Sequence, residues 1–265
     1  MFLRHFIFVI SALAVFANAV IAQKPPCRVA LVQTRIAWGD VDKNISAFGS
    51  KVKECSGCDI VILPELFASG CEMKKSDRLL AREKKKDIAA RFDDVVRAMK
   101  QWAGEVNATI AGSTIYMDGE NFYNRLIVAH ADGRTEYYDK HNCFKKGSFT
   151  PGDEPLVFDV GGWKFAAFIC YDLRFPAWNK MYGHYDVAMY VANWPESRRG
   201  DWISLLRERA LDNGRYSVGV NCIGTSPEGK TYSGDSMIIS PDGESVASCG
   251  EYEDTILFCD LEDTP

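Results

Sequence analysis

The chain has 265 residues, of which 47% are apolar and 25% charged, with a formal net charge of −5. This is the balance of an ordinary globular protein, long enough to bury a sizeable core. An acidic chain lacks the basic face of a nucleic-acid binder, so nucleic acid is not expected as a partner.

Residues 1–22 have the layout of a secretory signal peptide. Arg4 and His5 precede an apolar stretch from Phe6 to Ala17, and Val20 and Ala22 stand at the minus-three and minus-one positions before Gln23. The expectation is an exported protein with no stable membrane association after cleavage. An uncleaved anchor helix is the alternative. Residues 27–265 contain no linker and read as one domain.

From Cys27 onward, short apolar runs alternate with amphipathic ones. "CRVALVQT" and "CDIVILPE" read as strands flanking a helix within "DKNISAFGSKVKEC". Export permits disulfides, and nine cysteines leave at least one thiol unpaired within a monomer. Cys55 and Cys58 form a lone C-x-x-C at the helix end. With no second ligand pair for zinc, they read as a local disulfide or two free thiols, and no metal site is expected.

A helical stretch is expected over about Ser76 to Val106. Within it the basic run "REKKKD" reads as a solvated face. "TIAGSTIY", "NRLIVAHA", "KFAAFICYD" and "DVAMYVANW" read as further strands. The next helix, about Arg199 to Gly214, is expected to turn Trp202, Leu205, Leu206 and Leu211 toward the core. "YSVGVNCIG", "SMIISPDG" and "TILFCDL" close the series. Strands alternating with helices, mixed with hairpins, indicate an α/β protein with a mixed sheet.

Three of these strands end in polar residues of complementary chemistry. "IVILPEL" delivers Glu65, "EYYDKHN" delivers Lys140 and "FAAFICYD" delivers Cys170. In α/β proteins functional groups gather just past strand ends. A thiolate is a strong nucleophile, a nearby carboxylate takes the thiol proton, and an ammonium stabilises an oxyanion. The set suits attack on an amide or nitrile carbon through a thioester, with no cofactor. Each residue also has a plainer reading: Cys170 as core packing, Glu65 as a helix N-terminal acid, Lys140 as a surface lysine. A Cys/His hydrolase of another fold would need His130, His141 or His184.

"VILPELF", "YYDKHNCF" and "ICYDLRFP", in that order, resemble the nitrilase superfamily of carbon–nitrogen hydrolases. "VANWPESRRGDW" and "YSGDSMIISPDGE" are similar to its later blocks. "CYDLRFP" followed by "VANWP" looks most like the omega-amidase branch, which hydrolyses the terminal amide of small 2-oxo acids such as 2-oxoglutaramate. The resemblance implies a four-layer αββα sandwich that pairs into homodimers. It implies Cys170 as nucleophile, Glu65 as general base, Lys140 as oxyanion stabiliser and the Tyr171 N–H as second oxyanion donor. Arg174, Asn193 and Trp194 become candidate substrate contacts. Arg174 alternatively pairs with a carboxylate such as Asp172. The family's further glutamate beside the lysine has Glu154, or Asp153, as its candidate here. A carbamoylase of another branch, or a binding protein that has lost catalysis, are the competing readings.

Overall fold

The computed structural model describes residues 23–70, 78–144 and 147–263. The expected signal peptide lies outside the described residues. No helix among the described residues is long and apolar enough to cross a membrane.

Two mixed sheets form the centre of the molecule. The first holds β1 (Cys27–Gln33), β2 (Ile60–Ile62), β3 (Thr109–Asp118), β4 (Asn121–Ala129) and β5 (Thr135–Asp139) in that spatial order, with β14 (Thr255–Leu261) antiparallel along the free side of β1. The second holds β6 (Val157–Val160), β7 (Trp163–Ile169), β8 (Val187–Ala192), β9 (Tyr216–Asn221), β12 (Met237–Ile239) and β13 (Ser245–Ser248). A short hairpin, β10 (Ile223–Thr225) and β11 (Thr231–Ser233), stands apart from both.

Strand parity explains the layering. Val29, Leu31, Ile60 and Ile62 face a core shared with the second sheet. Their neighbours Ala30, Val32, Val61 and Leu63 face a second core, against α1 (Val41–Lys53) and α3 (Phe92–Val106). A sheet covered on both faces needs strands that are apolar throughout, which is why these runs show no polar alternation. On the far side α5 (Arg199–Asn213) buries Trp202, Leu206 and Ala210 against the second sheet. The order is therefore helix, sheet, sheet, helix, the expected αββα sandwich.

Local signals set the helix ends. The Asp40 carboxylate caps α1 by accepting from the Lys43 N–H at 3.0 Å. Asn107, left-handed at φ 53°, closes α3. Four expectations are corrected. The helix expected over 76–106 is two helices, α2 (Arg78–Ala89) and α3, because the chain turns at Ala90–Arg91 and Arg91 ties across to Asp42 and Asp94. The strand expected through Asp172 ends at Ile169 and gives way to a 3-10 turn, Cys170–Arg174. "YSVGVNCIG" divides between β9 and β10. Leu211 is 53% exposed, and Arg209 is buried on the inner stripe instead, since residue 211 is rotated away from the line through 202, 206 and 210. The short helix α4 (Pro176–Lys180) follows the 3-10 turn.

Candidate active site

Glu65 lies in the turn that leaves β2. That turn packs directly on β3, where a Cβ on Gly112 would come within 2.9 Å of both Leu63 Cβ and Phe67 Cδ1. Ser113 fixes the turn, its hydroxyl accepting from the Leu66 N–H at 2.8 Å. Leu66 is held at φ 47°, an unfavourable conformation for a branched side chain. The Glu65 side chain is buried and accepts three hydrogen bonds, which leaves acceptor capacity on Oε2. Oε1 accepts from Lys140 Nζ and Asn124 Nδ2, both at 2.7 Å, and Oε2 accepts from the Asn193 N–H at 2.9 Å.

Lys140 follows β5 directly. Its N–H donates to the Asn124 carbonyl, and its carbonyl accepts from the Gly152 N–H. Gly152 approaches so closely that a Cβ would lie 2.4 Å from the Asp139 carbonyl oxygen, so only glycine fits. Burial pushes the Lys140 ammonium down. The negative charges of Glu65, Cys170 and Asp172 and the bond to Glu65 outweigh it and hold Lys140 above the ordinary lysine value.

Cys170 opens the 3-10 turn after β7 at φ 48°. A left-handed cysteine costs about 1–2 kcal/mol, so the surrounding structure must impose it. Asp172 is the fastener. Its Oδ2 accepts from the Ile169 N–H at 3.0 Å and the Tyr138 hydroxyl at 2.8 Å. Its Oδ1 accepts from the Asn142 N–H at 2.8 Å and Asn142 Nδ2 at 3.0 Å. The nucleophile turn is thus pinned to the Lys140 loop. Burial pushes the Asp172 carboxyl up, and Lys140 and these hydrogen bonds offset only part of that.

Glu65, Lys140 and Cys170 meet in one cleft of about 580 Å³. Tyr171, Asn193 and Trp194 line it as well, as do Cys143, Phe144, Phe149, Pro195, Ser197, Arg198, Glu228, Lys230 and Tyr232. Trp194 is fixed by its N–H to Asn221 Oδ1 at 2.8 Å and its Nε1 to the Arg198 carbonyl at 2.8 Å. Two candidates fall elsewhere. Arg174 does not line the cleft. Its guanidinium lies 5.0 Å from the Trp194 ring and pairs with Asp201, not with Asp172, whose oxygens are already filled. Glu154 is exposed and absent from the lining, as is Asp153, so neither stands beside Lys140. The Lys140 carboxylate partner is Glu65 itself. Among the described histidines none lines the cleft, and His141 stacks on Trp178 with ring centroids 3.7 Å apart. Cys55 and Cys58 are buried free thiols, and burial pushes Cys55 up to about 12.

Sequence reading missed Asn124, Phe144, Arg198 and Lys230. Asn124 lies within β4, where its parity with the buried Leu126 was the available signal. Phe144 and Lys230 sit in loops and Arg198 in a single 3-10 turn, Glu196–Arg198, none of which has a periodicity to read.

The carbon–nitrogen hydrolase family model matches residues 28–264. The chain belongs to the carbon–nitrogen hydrolase family. This carbon–nitrogen hydrolase is 33% identical to the omega-amidase YafV of Escherichia coli over 241 residues, 89% of this chain and 90% of that one. It is 28% identical to the 2-oxoglutaramate amidase of Bacillus subtilis over 85% and 87% of the two chains. A superfamily protein of Xanthomonas campestris, whose crystal structure carries an arsenic adduct in the active site, superposes with a TM-score of 0.80. It is 30% identical, and the match covers 89% of this chain and 91% of that one.

Proposed function

We propose that this hydrolase is a thiol-dependent amidase that releases ammonia from the terminal amide of a small carboxylic acid, as in 2-oxoglutaramate to 2-oxoglutarate. The observation that carries the reading is the convergence of Cys170 with the buried Lys140–Glu65 pair in one cleft. Likeness to the E. coli and B. subtilis amidases supports the choice of amide.

Glu65 takes the Cys170 thiol proton as sulfur attacks the amide carbon. The resulting oxyanion is met by Lys140 Nζ, which has N–H groups beyond the one given to Glu65, and by the Tyr171 N–H. Collapse breaks the C–N bond, and Glu65 returns the proton to the departing nitrogen as ammonia. Water then attacks the thioester, with Glu65 accepting its proton, and the acid leaves as Cys170 recovers its own. The reading includes action after export on a small-molecule amide, as a homodimer.

The test is ammonia release from 2-oxoglutaramate, glutamine, asparagine and N-carbamoyl compounds. The expected result is turnover of the 2-oxo acid amide that falls at least ~10³-fold in Cys170→Ala with the fold intact. Full activity in that variant, or activity on carbamoyl compounds alone, defeats the reading.

A further inference from the structure

Three arginines in the second half of the molecule, Arg174, Arg198 and Arg199, are partnered differently. Arg174 is neutralised by Asp201, and Arg199 by Asp235 and Glu251. Arg198, which lines the cleft, has no carboxylate within 4.0 Å among the described residues. Its backbone is fixed, since its carbonyl accepts from Trp194 Nε1 and its N–H donates to the Pro195 carbonyl at 2.9 Å. Its guanidinium lies 4.7 Å from the Phe144 ring. Phe144 in turn meets the Tyr171 ring edge-on at 5.2 Å, and Tyr171 adjoins Cys170. One aromatic bridge therefore separates the thiol from an unneutralised fork of N–H donors.

We propose that Arg198 is a carboxylate-binding subsite, which holds the far end of an amide substrate while Cys170 attacks the near end. The inference rests on the amidase reading for the identity of that near end. A guanidinium stacked on a ring keeps the N–H edges of its plane free, and that planar fork fits a carboxylate bidentately. A half-buried cation without a counterion is a site that an anion improves. The charges around it agree. Glu65 and Lys140 neutralise each other at the reacting end. Lys230 also lines the cleft, as does the acid Glu228, whose buried Oε1 has no hydrogen-bond partner among the described residues. Cationic residues thus outnumber acids in the lining. Arg174, four residues after the nucleophile, is spent on Asp201 and does not line the cleft. Arg198 is the arginine that lines the cleft.

Two measurements test the subsite. In the first, glutaramate and pentanamide, which differ in the distal carboxylate, are compared by kcat/KM in the unaltered protein, Arg198→Gln and Arg198→Lys. Arg198→Gln is expected to lower the preference for glutaramate ~10–100-fold, mainly through KM, the range of a lost charge-assisted contact. Arg198→Lys should recover part of it, because the charge returns without the fork. An equal fall on both amides, which a merely structural role would produce, overturns the proposal, as does an unchanged preference. The second measurement is calorimetric titration with glutarate of Cys170→Ala and of Cys170→Ala carrying Arg198→Gln. Binding at least about tenfold weaker in the double variant supports the subsite. Equal binding in the two, or no binding in either, sinks it. If neither amide turns over but glutarate binding depends on Arg198, the amidase reading fails and the subsite stands.

Discussion

The two sheets are built on one plan. Each has three parallel strands at its centre, β1-β2-β3 in the first and β7-β8-β9 in the second. Each adds one antiparallel strand beside the first of these and two beyond the last. Corresponding strand ends nevertheless carry different chemistry. Glu65 follows β2, and its counterpart after β8 is Asn193, whose N–H binds the Glu65 carboxylate. Lys140 follows β5, and the counterpart region after β13 holds Cys249, a buried thiol that burial pushes up to about 12. Cys170 follows β7, while after β1 stands Thr34, bonded to Asp254. One sheet therefore supplies the charges, and the other supplies the nucleophile and a backbone donor. A repeated scaffold offers twice as many strand ends as a site needs, and the unused ends revert to structural work.

If the two sheets act jointly, the largest effects should follow from cutting what joins them. Asp172→Ala leaves four donors from both halves without an acceptor. A loss of roughly 3–5 kcal/mol in denaturant unfolding is expected, with a fall in turnover as the Cys170 turn relaxes. The raised Asp172 carboxyl also makes the fold bind its proton more tightly than the unfolded chain. Stability should therefore fall as pH rises from about 3.9 through the folded value, a slope absent from the variant. Turnover unchanged in the folded variant would show that the sheets position their groups independently. A smaller effect is expected within the first sheet alone. Asn124→Ala removes one of three donors to Glu65, and kcat should drop about 10- to 100-fold with KM little changed. A change in KM only would place Asn124 in substrate binding. The smallest effect belongs to Arg174→Gln in the 3-10 turn beyond the second sheet, an ion pair outside the cleft. Stability should move by no more than ~1 kcal/mol, with kcat/KM nearly constant. A large rise in KM would return Arg174 to the substrate.

The division of labour also explains what the sequence made legible. Glu65, Lys140 and Cys170 stand out because each interrupts an apolar run at the point where a strand must leave the sheet. An α/β protein with a mixed sheet was readable from the alternation of such runs with helices, whereas the four-layer sandwich came from the family resemblance. The repeated plan was not readable, because it lives in strand order and direction, and the two halves share no period in their letters. Arg198 was hidden for another reason. In "PESRRGDW" it looks like part of a solvated charge run, and its role depends on Phe144, which arrives from a distant loop. Arg174 misled in the opposite sense. The family resemblance suggested a substrate contact, but its actual partner is Asp201 on α5. The break at Ala90–Arg91 was masked by good helix formers on either side, since it is set by Arg91 reaching Asp42 on α1.

The β10–β11 hairpin belongs to neither sheet, yet the stretch from Glu228 to Tyr232 forms one bank of the cleft. It is tied to the sandwich by the Ile223 N–H to the Thr34 carbonyl, by the Thr231 hydroxyl to Glu196 and, at its end, by the Asn221 amide to the Gly234 carbonyl. One bank of the cleft is thereby carried outside the strand pairings of the two sheets. Residues at the hairpin tip can be exchanged without disturbing a single strand pairing that holds Cys170 in place. The scaffold is thus one on which a library confined to a few loop positions should alter the accepted acyl group and leave the bond-breaking step alone.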